Sequence, residues 1–342
     1  MQVFLTGHLG YVGNILAQKL TEETYDVIGC DIGYYSQDFV NIIPLKIKSL
    51  RKDIRELTKE DLKGCSAVIH LAALSNDPLG EINPSLTYDI NYLATIKLAK
   101  LAKEAFVKRF IYSSSCSTYG ATSDIVNEES PLSPITAYAK SKVDSEQELL
   151  KLKDESFSPV ILRSATAYGV SPSMRLDIVV NNLTCCAYAT GIIKLLSDGT
   201  AWRPLVHVED MSDAFMTVLK SSEDKISGET FNVGSNEENY MVKQIAEQVR
   251  EIIPNSKIEY AKGASKDLRS YRVNFDKIKN QIGYKTKWRL KDGIKEIYEV
   301  IKKKGFTEKD FRDRKFYRVA YIKWLMEQRI LVDNLSFKNS VK

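Results

Sequence analysis

Three side chains that can exchange a proton with an alcohol are the most informative feature of this sequence: Ser115, Tyr138 and Lys142. Tyr138 and Lys142 stand four residues apart, a spacing that puts both side chains on one face of a helix. A tyrosine ordinarily loses its proton near pH ~10, and a lysine cation close by favours the phenolate, so we expect Lys142 to lower the pKa of Tyr138. A phenol tuned in this way can act as acid and base at neutral pH. The alternative is a solvated helix face, because this spacing alone is common.

A glycine-rich turn near the start of the chain predicts a site for a dinucleotide. Residues 2–6 have the pattern of a buried strand, and Gly7, Gly10 and Gly13 follow it directly, ahead of a helical pattern at 12–20. Glycines at such a turn let the backbone approach a pyrophosphate, which binds the free amides of the helix N-terminus. The alternative is a strand–turn–helix unit without a ligand.

Asp31 indicates which dinucleotide is bound. It directly follows a second apolar segment, residues 25–30, and so stands at the end of the second predicted strand. A carboxylate at this place suits a ribose 2′-hydroxyl and repels a 2′-phosphate. The sequence therefore predicts NAD rather than NADP.

Short apolar segments alternate with helical patterns up to about residue 165, which predicts a doubly wound α/β fold with a parallel sheet. The predicted strands are 2–6, 25–30, 44–47, 67–71, 109–112 and 159–162, and the clearest helices are 93–106 and 137–152. Beyond residue 170 the pattern is irregular, with strand fragments near 193–196 and 230–233 that suit a smaller lobe. We expect a dinucleotide-binding domain at 1–165 to which later segments return, a substrate lobe mainly at 166–300 and a helical extension at 301–342.

Composition excludes several classes of function. A net charge of +5 over 342 residues is too small and dispersed to predict nucleic-acid binding. The sequence lacks an apolar segment of about 18 residues and begins directly with a strand pattern, so we expect neither a membrane span nor a signal peptide. The five cysteines and three histidines match no metal or disulfide pattern, which predicts a cytoplasmic protein without a metal.

The motifs occur in the order of a known family. From residue 1 to about 300 the chain resembles an extended short-chain dehydrogenase/reductase of the NAD-dependent nucleotide-sugar epimerase/dehydratase type. The resemblance is carried by Gly7/Gly10/Gly13, Asp31, Asp53-Ile54, residues 70–73, Asn91, residues 113–115, Tyr138/Lys142, residues 162–163 and residues 203–210. It implies a Rossmann-type fold with a smaller C-terminal lobe, NAD as the cofactor and a nucleotide sugar as the substrate.

The resemblance also implies a role for individual residues. The expected NAD-binding residues are Gly7, Gly10, Tyr11, Val12, Gly13, Asp31, Asp53, Ile54, Leu71, Ala72, Ala73, Asn91, Ser113, Tyr138 and Lys142. The expected substrate-binding residues are Ser75, Ser115, Arg175, Asn181, Asn182, Arg203 and Arg269.

In the catalytic group, Ser115 would hydrogen-bond the sugar hydroxyl that is oxidised, Tyr138 would remove its proton and Lys142 would hold the nicotinamide ribose. Arg203 would pair with the substrate diphosphate, for which bidentate arginine contacts are suited. A surface ion pair is the alternative for Arg203, and His207 is expected to be a structural histidine.

The residues after Ser115 discriminate between reactions. Related 4,6-dehydratases carry an Asp-Glu pair there, whereas this chain has Cys116 and Ser117. Neither can supply a carboxylic acid for eliminating water, so we expect hydride transfer at C4 by a 4-epimerase or 4-dehydrogenase. A 4-keto-sugar reductase is the main alternative, and a non-catalytic dinucleotide sensor is a further one.

Two further regions carry expectations. Met174, Arg175 and Asp177 depart from the galactose-epimerase-like pattern and resemble a subgroup with GDP-heptose-oxidising members. The helices at 93–106 and 137–152 are apolar enough to predict a homodimer, as the resemblance implies, unless all their apolar residues bury against the protein itself.

The C-terminal extension carries an apolar stripe at helical spacing, Phe316, Ala320 and Trp324. This stripe predicts a helix packed on the body of the protein. A helix that binds a partner is the alternative.

Overall fold

The computed structural model describes residues 1–35, 39–40, 47–265, 267 and 269–338. Its strands are β1 Gln2–Thr6, β2 Asp26–Asp31, β3 Lys48–Arg51, β4 Ala67–His70, β5 Arg109–Ser115, β6 Ile125–Val126, β7 Ser158–Ser164, β8 Thr166–Tyr168, β9 Ile192–Ser197, β10 Trp202–His207, β11 Thr230–Val233, β12 Asn239–Met241, β13 Lys257–Ser265 and β14 Arg272–Val273. Its helices are α1 Tyr11–Glu22, α2 Asp77–Gly80, α3 Pro84–Tyr88, α4 Ala94–Glu104, α5 Ala137–Lys151, α6 Val179–Thr190, α7 Val208–Lys220, α8 Glu223–Ile226, α9 Val242–Ile252, α10 Asp276–Ile282, α11 Leu290–Lys303, α12 Glu308–Phe311 and α13 Arg318–Glu327.

The centre of the molecule is a seven-stranded sheet in the order β11-β7-β5-β4-β1-β2-β3. All neighbouring strands in it are parallel. The chain builds outward from β1 to β3 on one side and then returns beside β1 with β4, so the strand order reverses between β1 and β4. Ligands bind at such a reversal, beyond the carboxyl ends of the strands. The predicted doubly wound Rossmann-type α/β fold is confirmed.

The sheet is apolar on both faces because helices cover both. In β1, Val3 and Leu5 belong to one buried cluster, whereas Phe4 between them belongs to another. This alternation follows from the two-residue period of a strand. All seven residues of β7 are buried, as expected for a strand covered on both faces. The rigid sheet therefore presents its strand ends, and the polar residues that follow them, as one fixed edge.

Most predicted elements occur where the sequence placed them, with ends shifted by a few residues. Three positions of the strand predicted at 44–47 lie outside the described residues, and β3 begins at Lys48. The helix predicted at 93–106 starts at Ala94, because a wider turn occupies Asp89–Leu93. The prediction that residues 230–233 belong to the smaller lobe is wrong, since β11 is the edge strand of the main sheet.

A third buried cluster lies mainly in the C-terminal part of the chain. The helices α6, α9 and α11 pack together there, with Val180, Ile245 and Ile294 fully buried. A three-stranded sheet in the order β12-β10-β8 and the parallel pair β9–β13 accompany them. Within the described residues, none of the helices combines the length and apolarity that a membrane crossing requires.

The C-terminal extension packs on the body of the protein, as its apolar residues predicted. Ile322 and Leu325 of α13 are buried in the cluster that lies beneath β2 and β4. The predicted stripe is wrong in detail, however. Phe316 lies in a separate short turn before α13, and Ala320 is exposed. Because the chain changes direction between Phe316 and α13, Phe316 does not share a helix face with Ala320 and Trp324.

Candidate active site

A cavity of about 940 Å³ opens at the carboxyl ends of the central strands. Residues from both parts of the chain line it, so it is a cleft between the sheet and the C-terminal segments. The predicted site residues that line it are Gly7, Gly10, Tyr11, Val12, Gly13, Asp31, Asp53, Ile54, Leu71, Ala72, Ala73, Ser75, Ser113, Ser115, Tyr138, Lys142, Arg175, Asn182, Arg203 and Arg269.

The glycine turn is so tight that side chains at Gly7 and Gly13 would clash with neighbouring backbone atoms. Gly7 has φ +75°, and a Cβ there would lie 2.9 Å from the Ala72 nitrogen. A Cβ on Gly13 would lie 1.9 Å from the Gly7 oxygen. The helix α1 starts at Tyr11, and no side chain caps it. The first residues of α1 line the cavity. Because the first amides of a helix have no partner within it, they suit a diphosphate, and the residues of this turn fit a dinucleotide.

Asp31 ends β2 at the side of the cavity. Its carboxylate accepts hydrogen bonds from the amides of Gly33 at 2.7 Å and Leu9 at 3.1 Å. Burial raises the pKa of Asp31, and these amides oppose that shift. The two backbone contacts hold the carboxylate in one place, where it can accept from ribose hydroxyls.

The catalytic candidates come together from two elements. Ser115 is the last residue of β5, and Tyr138 and Lys142 lie one turn apart on α5. Lys142 Nζ donates to the Ser113 carbonyl at 2.7 Å and lies 5.7 Å from the centre of the Tyr138 ring. A hydrogen bond with Ser115 also acts on the Tyr138 phenol. The predicted catalytic group is therefore assembled at one point of the cavity wall.

The start of α5 is fixed by its cap. Thr136 Oγ1 accepts from the Ala139 amide at 3.1 Å and donates to Asp77 at 2.6 Å. Glu81 accepts from the Ala137 amide at 2.7 Å. These bonds satisfy amides that a helix start leaves free and orient the turn that carries Tyr138.

The prediction that Lys142 lowers the pKa of Tyr138 is wrong for the protein alone. Burial raises the pKa of Tyr138 well above its ordinary range, and the negative charge of Asp77 raises it further. The hydrogen bond with Ser115 is the leading opposing effect. Burial also lowers the pKa of Lys142 to about 7, so near neutrality its cation is only partly present. Desolvation by the cavity wall outweighs the charge pairing that the spacing suggested.

A buried ion pair behind the catalytic group was not predicted. Glu146 and Arg163 lie 2.6 Å apart, and both side chains are almost fully buried. Ser114 donates to Glu146, and Arg163 Nη1 donates to the Tyr119 hydroxyl at 3.0 Å. The pair ties α5 to β5 and β7 beneath Lys142. A signal was present, because Glu146 continues the four-residue spacing of Tyr138 and Lys142 on the same helix.

Two arginines, Arg203 and Arg269, also line the cavity. Arg203 Nη2 lies 2.6 Å from Asp267, and Arg269 bridges Asp267 at 3.1 Å and Asp77 at 3.3 Å. Arg203 also donates to the Trp202 carbonyl at 2.8 Å. A half-buried ion pair thus holds Arg203 beside the cavity. The alternative from the sequence was an ion pair on the solvated surface, and this pair differs from it.

The distinctive segment around residue 175 also faces the cavity. Arg175 Nε lies 2.9 Å from Asp177, and Arg175 Nη1 donates to Ser75 Oγ at 3.3 Å. Asn76 donates to Asp177 at 2.9 Å. Met174 is fully buried and serves as core. These contacts join the segment to the loop after β4, on the side where Tyr138 lies.

Two predicted site residues do not line the cavity. Asn91 is buried and hydrogen-bonds both backbone atoms of Leu74, at 2.8 and 3.2 Å, so it braces the loop after β4. The side-chain amide of Asn181 forms hydrogen bonds with Gly169, Tyr11 and Arg175, all within the protein. Hydrogen bonds within the protein already satisfy both side chains, and the ligand contacts expected of Asn91 and Asn181 stay predictions.

The two residues that follow Ser115, Cys116 and Ser117, lie in different surroundings. Cys116 is fully buried, donates to the Arg163 carbonyl at 3.2 Å and has a raised pKa because of that burial. Ser117 lines the cavity.

His207 is a structural residue as expected. Its ring stacks on Trp288 at 3.9 Å and is hydrogen-bonded to Glu296 at 3.0 Å. No cluster of metal-binding side chains occurs among the residues with described coordinates.

Comparison with known proteins agrees with this geometry. The mouse dTDP-D-glucose 4,6-dehydratase is 27% identical over 334 residues, which cover 88% of this chain and 89% of the mouse protein. The UDP-glucose 4-epimerase of Lactobacillus helveticus is 27% identical over 317 residues, covering 86% and 94%. The solved UDP-glucuronic acid 4-epimerase of Bacillus cereus has the same fold, with a TM-score of 0.76 at 22% identity over 89% of this chain and 99% of that one.

A family profile covers the part of the chain that builds the sheet and the catalytic group. The profile of the NAD dependent epimerase/dehydratase family matches residues 3–234, from β1 through the edge strand β11. Since this is more than half of the 342 residues, the chain belongs to the NAD dependent epimerase/dehydratase family and is an enzyme that uses NAD.

Proposed function

We propose that this protein is an NAD-dependent oxidoreductase that transfers hydride at C4 of a nucleotide-activated sugar, as a 4-epimerase or 4-dehydrogenase. The observation that carries this proposal is the convergence of Ser115, Tyr138 and Lys142 on one cavity that two arginines also line. The first group can oxidise an alcohol, and the arginines can bind a diphosphate. The relatives named as a UDP-glucose 4-epimerase and a dTDP-glucose dehydratase support a nucleotide sugar as the substrate class.

The residues divide the work as follows. NAD, when bound at the glycine turn, supplies the hydride acceptor. Ser115 and Tyr138 would hydrogen-bond the sugar hydroxyl, and Tyr138 would take its proton as the phenolate. Because burial raises the pKa of Tyr138 in the protein alone, this step needs bound NAD, whose nicotinamide is positively charged and favours the phenolate. Lys142 bridges from the Ser113 carbonyl toward the ribose side of the site. Arg203 and Arg269 hold the substrate diphosphate, with Asp267 orienting both.

The catalytic turn argues against dehydration. Elimination of water needs an acid and a base beside the sugar. Cys116 at the first position is buried away from the cavity, and Ser117 at the second is not acidic at neutral pH. The carboxylate that acts on Tyr138 most strongly is Asp77, which is already engaged by Thr136 and Arg269.

The experiment that tests the function is a substrate panel read by mass spectrometry. UDP-, GDP-, CDP- and dTDP-sugars are incubated with the purified protein and NAD. We expect at least one product of unchanged mass or of a mass lower by two hydrogens. A product lighter by one water would contradict the proposal. Absence of any turnover, with NAD still bound, would favour a dinucleotide sensor.

A reductase that acts on a 4-keto sugar would use the same residues in the opposite direction. The panel therefore includes a 4-keto nucleotide sugar with NADH. Turnover of this compound alone would replace the proposed epimerase or dehydrogenase with the reductase.

We also propose the domain division that the sequence predicted. Residues 1–165 together with β11 form the dinucleotide-binding domain, residues 166–300 supply most of the substrate lobe, and residues 301–342 form an extension. The packing of α6, α9 and α11 into a cluster of their own supports this division.

A homodimer through α4 and α5 is a further part of the proposal. Leu93 is 53% exposed and Tyr88 is 39% exposed beside it, whereas Leu98 is fully buried and Ile96 and Leu101 pack on the core. The exposed apolar surface available for a dimer contact is thus smaller than the apolar residues at 93–106 suggested. Light scattering should give twice the chain mass of 38.8 kDa, and Leu93→Asp should halve it. A wild-type mass of one chain would contradict the dimer.

A further inference from the structure

The ammonium group of Lys142 lies against the ring of a second tyrosine, Tyr112 in β5. Tyr112 is 1% exposed, and Lys142 Nζ lies 4.6 Å from the centre of its ring. The Tyr138 ring is farther from the same atom, at 5.7 Å. A lysine within about 6 Å of a ring centre is attracted to the negative face of the ring, and the attraction is stronger where water is excluded. Tyr112 therefore lies where its ring can stabilise the charged form of Lys142.

The Tyr112 ring is held in place by its own neighbours. It stacks on the His70 ring, with 5.8 Å between the two centres. The nitrogens of His70 are in turn hydrogen-bonded to two threonine hydroxyls, at 2.7 and 2.8 Å. Burial and the charge of Lys142 lower the pKa of His70 to about 3, and burial raises the pKa of Tyr138. Both rings beside Lys142 are thus neutral at neutral pH, and neither adds a charge to its surroundings.

Lys142 has few other contacts that favour its charge. Its Nζ donates to the Ser113 carbonyl at 2.7 Å. The carboxylate that acts on Lys142 is Glu146, which is already ion-paired with Arg163 at 2.6 Å. Of the carboxylates with described positions, none is in ion-pair contact with Lys142. The Ser113 carbonyl and the Tyr112 ring are therefore the close contacts that oppose the desolvation of this lysine.

We propose that Tyr112 is a positioning residue for the reaction: its ring stabilises the charged ammonium of Lys142 and keeps it at the Ser113 carbonyl, from which the lysine would reach the nicotinamide ribose. The inference rests on the proposed function for the role of Lys142. Tyr112 touches neither substrate nor cofactor in this account, and it acts only through the lysine.

The test follows the stability of the full-length protein against pH, without NAD or sugar. Urea unfolding is measured from about pH 5 to about pH 9 for the wild type, Tyr112→Leu and Tyr112→Phe. The contribution of Lys142 makes the free energy of unfolding rise with pH from the pKa of the folded state, about 7 in the wild type. Losing the ring should lower this pKa, so the rise should begin about one pH unit lower in Tyr112→Leu. Tyr112→Phe keeps a ring, and its rise should begin where that of the wild type does.

Two controls separate the charge effect from packing. Phe231→Leu removes a fully buried ring from β11, outside the cavity, and should lower the free energy of unfolding equally at every pH. Adding Tyr112→Leu to Lys142→Met should also lower it equally at every pH, because no ammonium is left for the ring to stabilise.

A shape-preserving variant covers the case in which Tyr112→Leu does not fold. A trifluorinated phenylalanine at position 112 keeps the ring but withdraws electron density from its face, so the rise should again begin at lower pH than in Tyr112→Phe.

Turnover gives a second readout. With saturating NAD and the sugar that the panel identifies, kcat of Tyr112→Leu near neutral pH should fall about tenfold, because the lysine charge that favours the Tyr138 phenolate is weakened. KM should stay within about twofold, and Tyr112→Phe should recover most of the rate.

Three outcomes would overturn the inference. The first is a rise that begins at the same or a higher pH in the leucine and fluorinated variants. The second is an equal displacement of the curve by Tyr112→Leu in the Lys142→Met background. The third is wild-type kcat in a Tyr112→Leu protein whose curve has moved. Failure of the wild type to turn over any sugar would instead defeat the proposed function, and the unfolding curves would still show whether Tyr112 stabilises the charge of Lys142.

Discussion

The two halves of the cleft are built in different ways. In the N-terminal half, residues 1–165, functional side chains directly follow strands and are held by backbone groups, as Asp31 is by the amides of Leu9 and Gly33. In the C-terminal half, residues 166–338, arginines reach the cavity from separate segments and are held by carboxylates, as Arg203 is by Asp267. The first half depends on local chain geometry, whereas the second depends on charges that only the folded chain brings together.

This difference suggests a division of labour. Residues set by strand ends provide a dinucleotide site and a proton-transfer group, which all oxidations of this kind need. Charges gathered from distant segments decide which ligand occupies the site. Variants of the catalytic group in the first half should therefore change the chemical step, whereas variants of Asp31 should change the choice of dinucleotide. Variants of the arginines in the second half should change the affinity for the substrate.

The largest effect is expected for Tyr138→Phe, in the N-terminal half. Loss of the phenol removes the proton acceptor, so kcat should fall about 100- to 10,000-fold. NAD affinity should stay within twofold, because the ring is kept. Rates with the nucleotide sugar and titration with NAD measure both quantities, and Tyr260→Phe, an exposed tyrosine outside the cavity, is the control. A variant with wild-type kcat would remove Tyr138 from the mechanism.

Arg203→Met should have the second largest effect, on KM rather than on kcat. Losing a charged contact to the substrate diphosphate should raise KM about 10- to 100-fold with unchanged NAD affinity. Arg250→Met changes an exposed arginine of α9 and serves as the control. If NAD affinity fell together with substrate affinity, the two ligands would not be divided between the halves as we propose.

Asp31→Ala tests cofactor choice within the N-terminal half. The wild type should bind NAD more tightly than NADP, because the carboxylate repels a 2′-phosphate. The variant should lose about tenfold in NAD affinity and bind the two cofactors more equally. Fluorescence titration of the reduced cofactors decides the point. Equal affinities in the wild type would refute the assignment of Asp31.

The smallest effect concerns the stability of the protein without cofactor. The pKa of Lys142 is lowered to about 7 in the folded protein from an ordinary value of 10.5. Between these pH values the unfolded chain binds a proton that the folded protein does not, so this group makes the free energy of unfolding rise with pH. The slope is at most about 1.4 kcal/mol per pH unit. Urea unfolding should show a shallower rise for Lys142→Met, and parallel curves would contradict the lowered pKa of the buried lysine.

The sequence predicted the N-terminal half well because its signals are local. The glycine turn, Asp31 and the Tyr138–Lys142 spacing each depend on a few adjacent residues whose geometry a strand or helix sets. Their electrostatics could not be predicted in the same way. Whether Lys142 is charged depends on how completely the cavity wall excludes water, and burial is a property of the whole fold.

The C-terminal half was predicted less completely for the same reason. The resemblance indicated Arg203, but it did not indicate Arg318, a buried arginine that also lines the cavity. The burial of Arg318 depends on Tyr35 and Ser173, which are far away in the chain. Asn91 in the N-terminal half and Asn181 in the C-terminal half were expected to contact ligands, and the fold uses both side chains in hydrogen bonds to backbone groups.

The account is tested most directly by the fate of the hydrogen at C4. The substrate that the panel identifies is prepared with deuterium at C4, and products are analysed by mass spectrometry and NMR. We predict that the deuterium is kept in the epimerised sugar or recovered in the reduced cofactor, with a slower rate than for the unlabelled sugar when hydride transfer limits turnover. Release of the deuterium into solvent would show that C4 loses a proton rather than a hydride and would contradict the proposed role of Ser115, Tyr138 and Lys142.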